Sequence, residues 1–146
     1  MSSNEFLKLE NQLCFSLYAS SRAITRMYRP FLEGLGITYP QYLVLLVLWD
    51  QKESTVKELS EKLDLDSGTL TPMLKRMESQ QLVQRKRSSE DERVVNIQIT
   101  EAGLALYDKA LCIPQSLLAS SGLSPEEIYK FNEQLKRIIS SVNAFD

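Results

Sequence analysis

Apolar positions along this chain follow a helical period, then an alternating one, then a helical one again. Over residues 5–33, Leu9, Leu13, Leu17, Ile24 and Phe31 recur at helical intervals, and Gly34 and Gly36 supply the stop. Pro40 is placed to open a second helix, whose run from Tyr42 to Trp49 is apolar almost all round and so predicts burial on every side. A short third helix carries Val56, Leu59 and Leu63 on one stripe, with Thr55 and Glu58 at capping-box spacing. The turn "DLDS" follows, then a fourth helix with Leu70, Met73, Leu74 and Met77 at i, i+3, i+4 and i+7. From residue 82 to 100 the period falls to two: Val95, Ile97 and Ile99 alternate with Asn96 and Gln98, and "SSEDERV" reads as the charged turn of a β-hairpin. Thr100 is suited to cap a helix over "EAGLALYDKALCI", which Pro114 is expected to break or kink. Ser124 and Pro125 open a final amphipathic helix.

The predicted fold is mainly α with a small β-hairpin (α+β). A short capped helix, tight turn, second helix and hairpin, in that order, make a winged helix-turn-helix. With 146 residues, 43% of them hydrophobic, the chain is the size of one ordinary domain. Residues 1–146 are therefore read as one unit, with residues 40–100 as the winged lobe. The flanking helices, 5–33 and 101–146, are amphipathic, and their apolar faces need a partner.

Charge sharpens this picture. The net charge is only −2, but it is segregated. Residues 67–87 hold Lys75, Arg76, Arg85, Lys86 and Arg87 against Glu78, whereas residues 41–66 hold three bases and six acids. The basic segment coincides with the second helix of the motif and the first strand of the hairpin, which points to double-stranded DNA. Ser67, Thr69 and Thr71 are short polar side chains near the start of that helix and allow close approach to a major groove. Lys75 and Arg76 can reach phosphate or base edges. Arg85, Arg87 and Arg93 on the hairpin can lie along a minor groove, where the potential is most negative. The acids of the turn oppose this, unless Asp91 pairs with Arg93 and holds it in place.

Other chemistry is scarce. The chain has no histidine and two cysteines, which removes histidine-based triads, dyads and metal sites, and it carries no glycine-rich phosphate loop. An enzyme, a metal and a bound cofactor are accordingly not expected. No apolar run approaches the ~20 residues of a membrane span. The polar N-terminus is unlike a secretion signal, and two cysteines without one suit a reducing cytoplasm.

Cys14 lies in "LENQLCFSLYASS", among Leu13, Phe15 and Tyr18. On such a stretch a cysteine is read either as a small core residue or as a reactive thiol. Three segments bear on that choice: this one, "YRPFLEGLGITYPQYLVLLVLW", and "DSGTLTPMLKRME" with its following "RKRSSEDERVVNIQITEAG". Together they resemble the MarR family of winged-helix repressors, and within it the organic-hydroperoxide-sensing (OhrR) type. The resemblance spans nearly the whole chain and is strongest over residues 9–100. One departure is Gln81, where relatives often have glycine after the recognition helix.

The resemblance implies a homodimeric repressor built on the first and last helices. It binds operator DNA while Cys14 is reduced and leaves when an organic hydroperoxide oxidises Cys14. It also gives Tyr28 and Tyr39, from the partner subunit, the role of holding the Cys14 thiolate by hydrogen bonds. Two readings stand for Cys112: the thiol that resolves oxidised Cys14, or a spare thiol, with a low-molecular-weight thiol doing the resolving. A second function within the same fold is a repressor that responds to a phenolic or drug-like ligand, with Cys14 incidental.

Overall fold

The computed structural model describes residues 2–145, in two compact units, Met1–Leu111 and Cys112–Asp146. The first unit opens with a short 3₁₀ turn, Leu9–Asn11, and then α1 (Leu13–Gly34). The helix expected over 5–33 therefore begins only at Leu13. Two side-chain amides stop it from extending further back. Asn11 Nδ2 donates to the Glu5 carbonyl and Gln12 Nε2 to the Phe6 and Lys8 carbonyls, and Gln12 itself is extended.

Gly36, at φ +70°, turns the chain into α2 (Tyr39–Gln51). Thr38 and Gln41 form a reciprocal capping box there, with Tyr39 and Pro40 in the first turn. The predicted all-round burial holds for Val44, Leu45 and Leu48, which are fully enclosed, while Leu46 is exposed.

A three-residue strand, β1 (Glu53–Thr55), leads into α3 (Val56–Leu63), and α4 (Ser67–Ser79) follows. β2 (Val83–Arg87) and β3 (Val95–Ile99) form the expected hairpin. β1 pairs antiparallel with β3, with Ser54 opposite Ile97, so the sheet has the order β1-β3-β2. This third strand escaped the sequence pattern because "EST" is too short to show a period. Leu45, Leu48, Leu59, Leu70, Leu74, Met77 and Ile97 are all fully buried, and they make one core shared by α2, α3, α4 and the sheet.

Beyond β3, Thr100 caps α5 (Glu101–Ala105) through the Gly103 N–H, and α6 (Tyr107–Ala110) follows at once. Gly103 is required here. A Cβ on it would lie 2.5 Å from the Leu82 carbonyl and 2.7 Å from Ile99 Cγ1. Its own carbonyl accepts from the buried Trp49 indole at 2.9 Å. The single helix expected over 101–113 is thus two short pieces.

In the second unit, α7 (Cys112–Ser121) contains Pro114 in its first turn, where the missing N–H has no helical partner to lose. The expectation that Pro114 breaks the helix is corrected: the break comes before Cys112. α8 (Pro125–Asn143) carries the predicted Ser124 cap, reciprocated by Glu127. Among the described residues no single helix is long and apolar enough to cross a membrane.

Candidate functional site

The groove between the helix-turn-helix and the hairpin gathers most of the basic residues singled out from the sequence. Ser67, Thr71, Arg85, Arg87 and Arg93 line it together with Thr55, Lys57 and Ser60, around a cavity of ≈ 690 Å³. Lys57 was not among the expected residues. It sits on α3, outside the basic segment, and only the fold brings it to the groove. Thr69, Lys75 and Arg76 are exposed on α4 and do not line this cavity.

Local bonds hold these side chains in place. Asp66 caps α4, accepting from the Thr69 N–H at 2.8 Å and the Thr69 hydroxyl at 3.1 Å. These bonds hold the Asp66 carboxyl below its usual pKa. The second bond also occupies the Thr69 hydroxyl proton.

On the hairpin, Arg87 Nη1 donates to the Glu92 carbonyl at 2.9 Å and braces the turn. Asp91 accepts from Arg93 Nε at 3.2 Å and from the Arg93 backbone N–H at 3.0 Å. The Arg93 side chain lowers the Asp91 pKa, and its backbone N–H adds to the effect. The expected Asp91–Arg93 pair is therefore present. The pair leaves the Arg93 side chain 91% exposed. Arg85 is different: its backbone N–H donates to Glu78 at 2.8 Å, but its side-chain Nε is buried with no hydrogen-bond partner. A buried donor left unpaired is unfavourable and calls for an acceptor.

Cys14 stands in the first turn of α1 and is exposed, as are Leu13, Phe15 and Tyr18 around it. A sulfur anion there is at the positive end of the helix. Arg22 lies over the Tyr18 ring at 5.4 Å, one turn further along the face that Tyr18 shares with Cys14.

Tyr28 and Tyr39 are brought together, with ring centroids 6.2 Å apart. Tyr28 is buried, and burial, with a contribution from Tyr39, pushes its hydroxyl pKa up. It therefore remains a protonated donor at neutral pH. The same chain does not bring this pair to Cys14. Fourteen residues of continuous helix separate Cys14 from Tyr28, roughly 21 Å at 1.5 Å per residue. Cys112 lies half-buried at the start of α7, in the second unit. Among the described residues no cluster could hold a metal ion.

Comparison with known proteins places this geometry. The family model for the transcriptional regulator SarA/Rot matches residues 26–110. The organic hydroperoxide resistance transcriptional regulator of Bacillus subtilis (strain 168) is 53% identical over 139 residues, 95% of each chain. The solved structure of reduced AbfR bound to DNA is 38% identical, with a TM-score of 0.78 over 97% of this chain and 99% of that one. AbfR, from Staphylococcus epidermidis, is also known in a disulfide-formed state, with a TM-score of 0.67 over 96% of each chain. A mutant MarR from E. coli is 26% identical, with a TM-score of 0.69 over 88% of this chain and 96% of that one. Winged lobe, sheet topology and extended identity agree: the chain belongs to the SarA/Rot and MarR-type family of winged-helix transcriptional regulators, which are not enzymes.

Proposed function

We propose that the protein is a cytoplasmic repressor that binds operator DNA as a homodimer and releases it when an organic hydroperoxide oxidises Cys14. The observation that carries this reading is an exposed thiol at a helix start, roughly 21 Å from the tyrosine pair of its own chain. A second copy, running antiparallel along α1, brings that pair to the thiol. The exposed apolar side chains on α1 (Leu13, Phe15, Tyr18) and on α8 (Tyr129, Phe131, Ile139, Val142) are the surface such a dimer would cover. The name of the Bacillus relative and the reduced, DNA-bound and disulfide-formed states of AbfR support the same reading.

The chemistry is short. The thiolate attacks the distal oxygen of ROOH, the O–O bond breaks, and the alkoxide leaves and takes a proton. The products are the sulfenic acid of Cys14 and the alcohol ROH. A thiol then attacks the sulfenic sulfur and expels water, leaving a disulfide. Cys112 of the partner, or a low-molecular-weight thiol, supplies that second sulfur. Tyr28 and Tyr39 donate hydrogen bonds to the thiolate, and neither sulfenic acid nor disulfide accepts them in the same way. Loss of those bonds removes what holds the tyrosine pair in its DNA-binding position.

On the DNA side, Arg85 and Arg87 line the groove in which a phosphate would lie. The exposed Arg93, oriented by Asp91, reaches the minor groove.

The test is a titration of labelled operator DNA with reduced protein and with protein treated with cumene hydroperoxide. Wild type is expected to release the DNA on oxidation, and Cys14→Ser to bind normally and ignore the peroxide. A Cys14→Ser protein that still leaves DNA would sink the assignment and favour a ligand-responsive repressor instead.

A further inference from the structure

The recognition helix α4 and the segment that carries Tyr39 are far apart in sequence, yet one side chain bridges them. Gln80 is the C-cap of α4. Its Nε2 donates to the Gly36 carbonyl at 2.9 Å, and its Oε1 accepts from Gln41 Nε2 at 3.2 Å. Both ends of one amide are therefore engaged with the α1–α2 connection.

The polarity is forced along the chain of bonds. Gln41 is 4% exposed, and its Oε1 is committed to the Thr38 N–H at 3.0 Å. Only its Nε2 can then face Gln80, which turns Gln80 Oε1 toward Gln41 and leaves Nε2 for Gly36. The segment so gripped is four residues long, from Leu35 to Thr38, with Gly36 at φ +70°. It ends on Tyr39, whose ring packs against Tyr28 and Tyr42 at 6.2 Å each.

The far side of the same helix end is equally held. Gln81 adopts φ +64°, the Leu82 N–H returns to the Met77 carbonyl, and the Gln81 carbonyl accepts from the Thr100 hydroxyl at 2.6 Å. Thr100 in turn caps α5. The C-terminal end of the recognition helix is thus pinned between the tyrosine segment and the start of α5. Apolar packing between α2 and α4 has no direction, but paired amides fix register.

We infer that Gln80 is the positioning residue through which a movement of Tyr39 reorients the recognition helix. The inference rests on the repressor reading above and adds the route by which oxidation reaches DNA. Gln80 touches neither Cys14 nor, on this reading, the DNA. Its removal separates sensing from release.

Two substitutions test it. Gln80→Met keeps length and helix propensity and removes both bonds. Gln80→Glu keeps an acceptor for Gln41 and sets a carboxylate against the Gly36 carbonyl. The probe is a fluorescent duplex selected from a randomised pool on the reduced wild-type protein, and the oxidant is cumene hydroperoxide.

Both variants should bind the duplex within about threefold of wild type when reduced, and Cys14 should oxidise at the wild-type rate by intact mass. The ratio of oxidised to reduced Kd should fall by about tenfold or more, within the usual span of coupling between sites. An unchanged ratio overturns the inference, and so does an unchanged ratio accompanied by a lower melting temperature, which marks a merely structural bond. If wild-type protein itself keeps the duplex after Cys14 is oxidised, the repressor reading falls and the coupling role falls with it. If wild type releases and the variants release equally, only the role of Gln80 fails.

Discussion

The winged lobe and the N-terminal sensor segment differ in how much of their work one chain can do. In the lobe, each important side chain finds its support nearby. Asp66 caps the helix that begins beside it, Asp91 holds Arg93 two residues away, and Arg87 braces the turn of its own hairpin. The sensor segment is the reverse. Cys14 is exposed, its apolar neighbours are uncovered, and its candidate partners Tyr28 and Tyr39 are assembled about four helical turns away. The lobe's supports lie within one chain, whereas the sensor proposed above draws on two. On the proposed reading, such a regulator binds DNA with a rigid element and responds through a part that a second copy completes.

The contrast can be attacked first at the lobe's core. Leu74 is fully buried on the inner face of α4. Leu74→Ala should cost about 2–5 kcal/mol in a denaturant titration and weaken DNA binding by lowering the folded fraction. Gly103→Ala comes next. The Leu82 carbonyl 2.5 Å from the new methyl is backbone and cannot swing aside. A loss of about 1–3 kcal/mol is expected in the same measurement. If either change left stability untouched while removing peroxide response, the division between a rigid lobe and a responsive sensor would be wrong.

Arg93→Ala should weaken binding, most on duplexes with a narrow minor groove, and reduce the slope of log K against log salt by about one. Asp91→Ala should weaken binding too, although it removes a negative charge, because the guanidinium loses its anchor. Tighter binding by Asp91→Ala would contradict the pairing role.

The pH effects are smaller. Asp66 and Asp91 have folded pKa values below their ordinary ones. Their ionised forms therefore favour the folded state, fully so above the ordinary carboxylate pKa of about 4, and the contribution is lost as pH falls through the lowered values. Asp66→Asn, which still caps, should flatten the acid limb of stability against pH and leave neutral stability nearly unchanged.

Most of this architecture was legible in the sequence because it is local. The four helices through Ser79, the hairpin and the caps at Thr55, Thr100 and Ser124 follow from periodicity and from residues within one turn. Two of the errors come from contacts that local periodicity does not show. The start of α1 is set by amide side chains reaching back six residues, and β1 exists only because β3 lies beside it. Gln81 marks the limit differently. Its backbone is left-handed, at φ +64°, without a glycine. Gln81→Gly should therefore stabilise the chain by about 1 kcal/mol. On the DNA side, the groove gathers five of the eight expected residues and adds Lys57, which no local pattern singled out. The sensor site was proposed only through the family resemblance, since Cys14 and the tyrosines share no spacing that would join them within one chain.

The most direct measurement mixes two variants in one dimer. One subunit carries Cys14→Ser, and the other carries Tyr28→Phe and Tyr39→Phe. If each Cys14 is served by the partner's tyrosines, this heterodimer contains one intact site. The remaining Cys14 should then react with cumene hydroperoxide at the wild-type rate, measured by intact mass. If the tyrosines serve their own chain, no site is intact, and that cysteine should oxidise as slowly as in the Tyr28→Phe, Tyr39→Phe homodimer. That slow result would contradict the two-chain sensor.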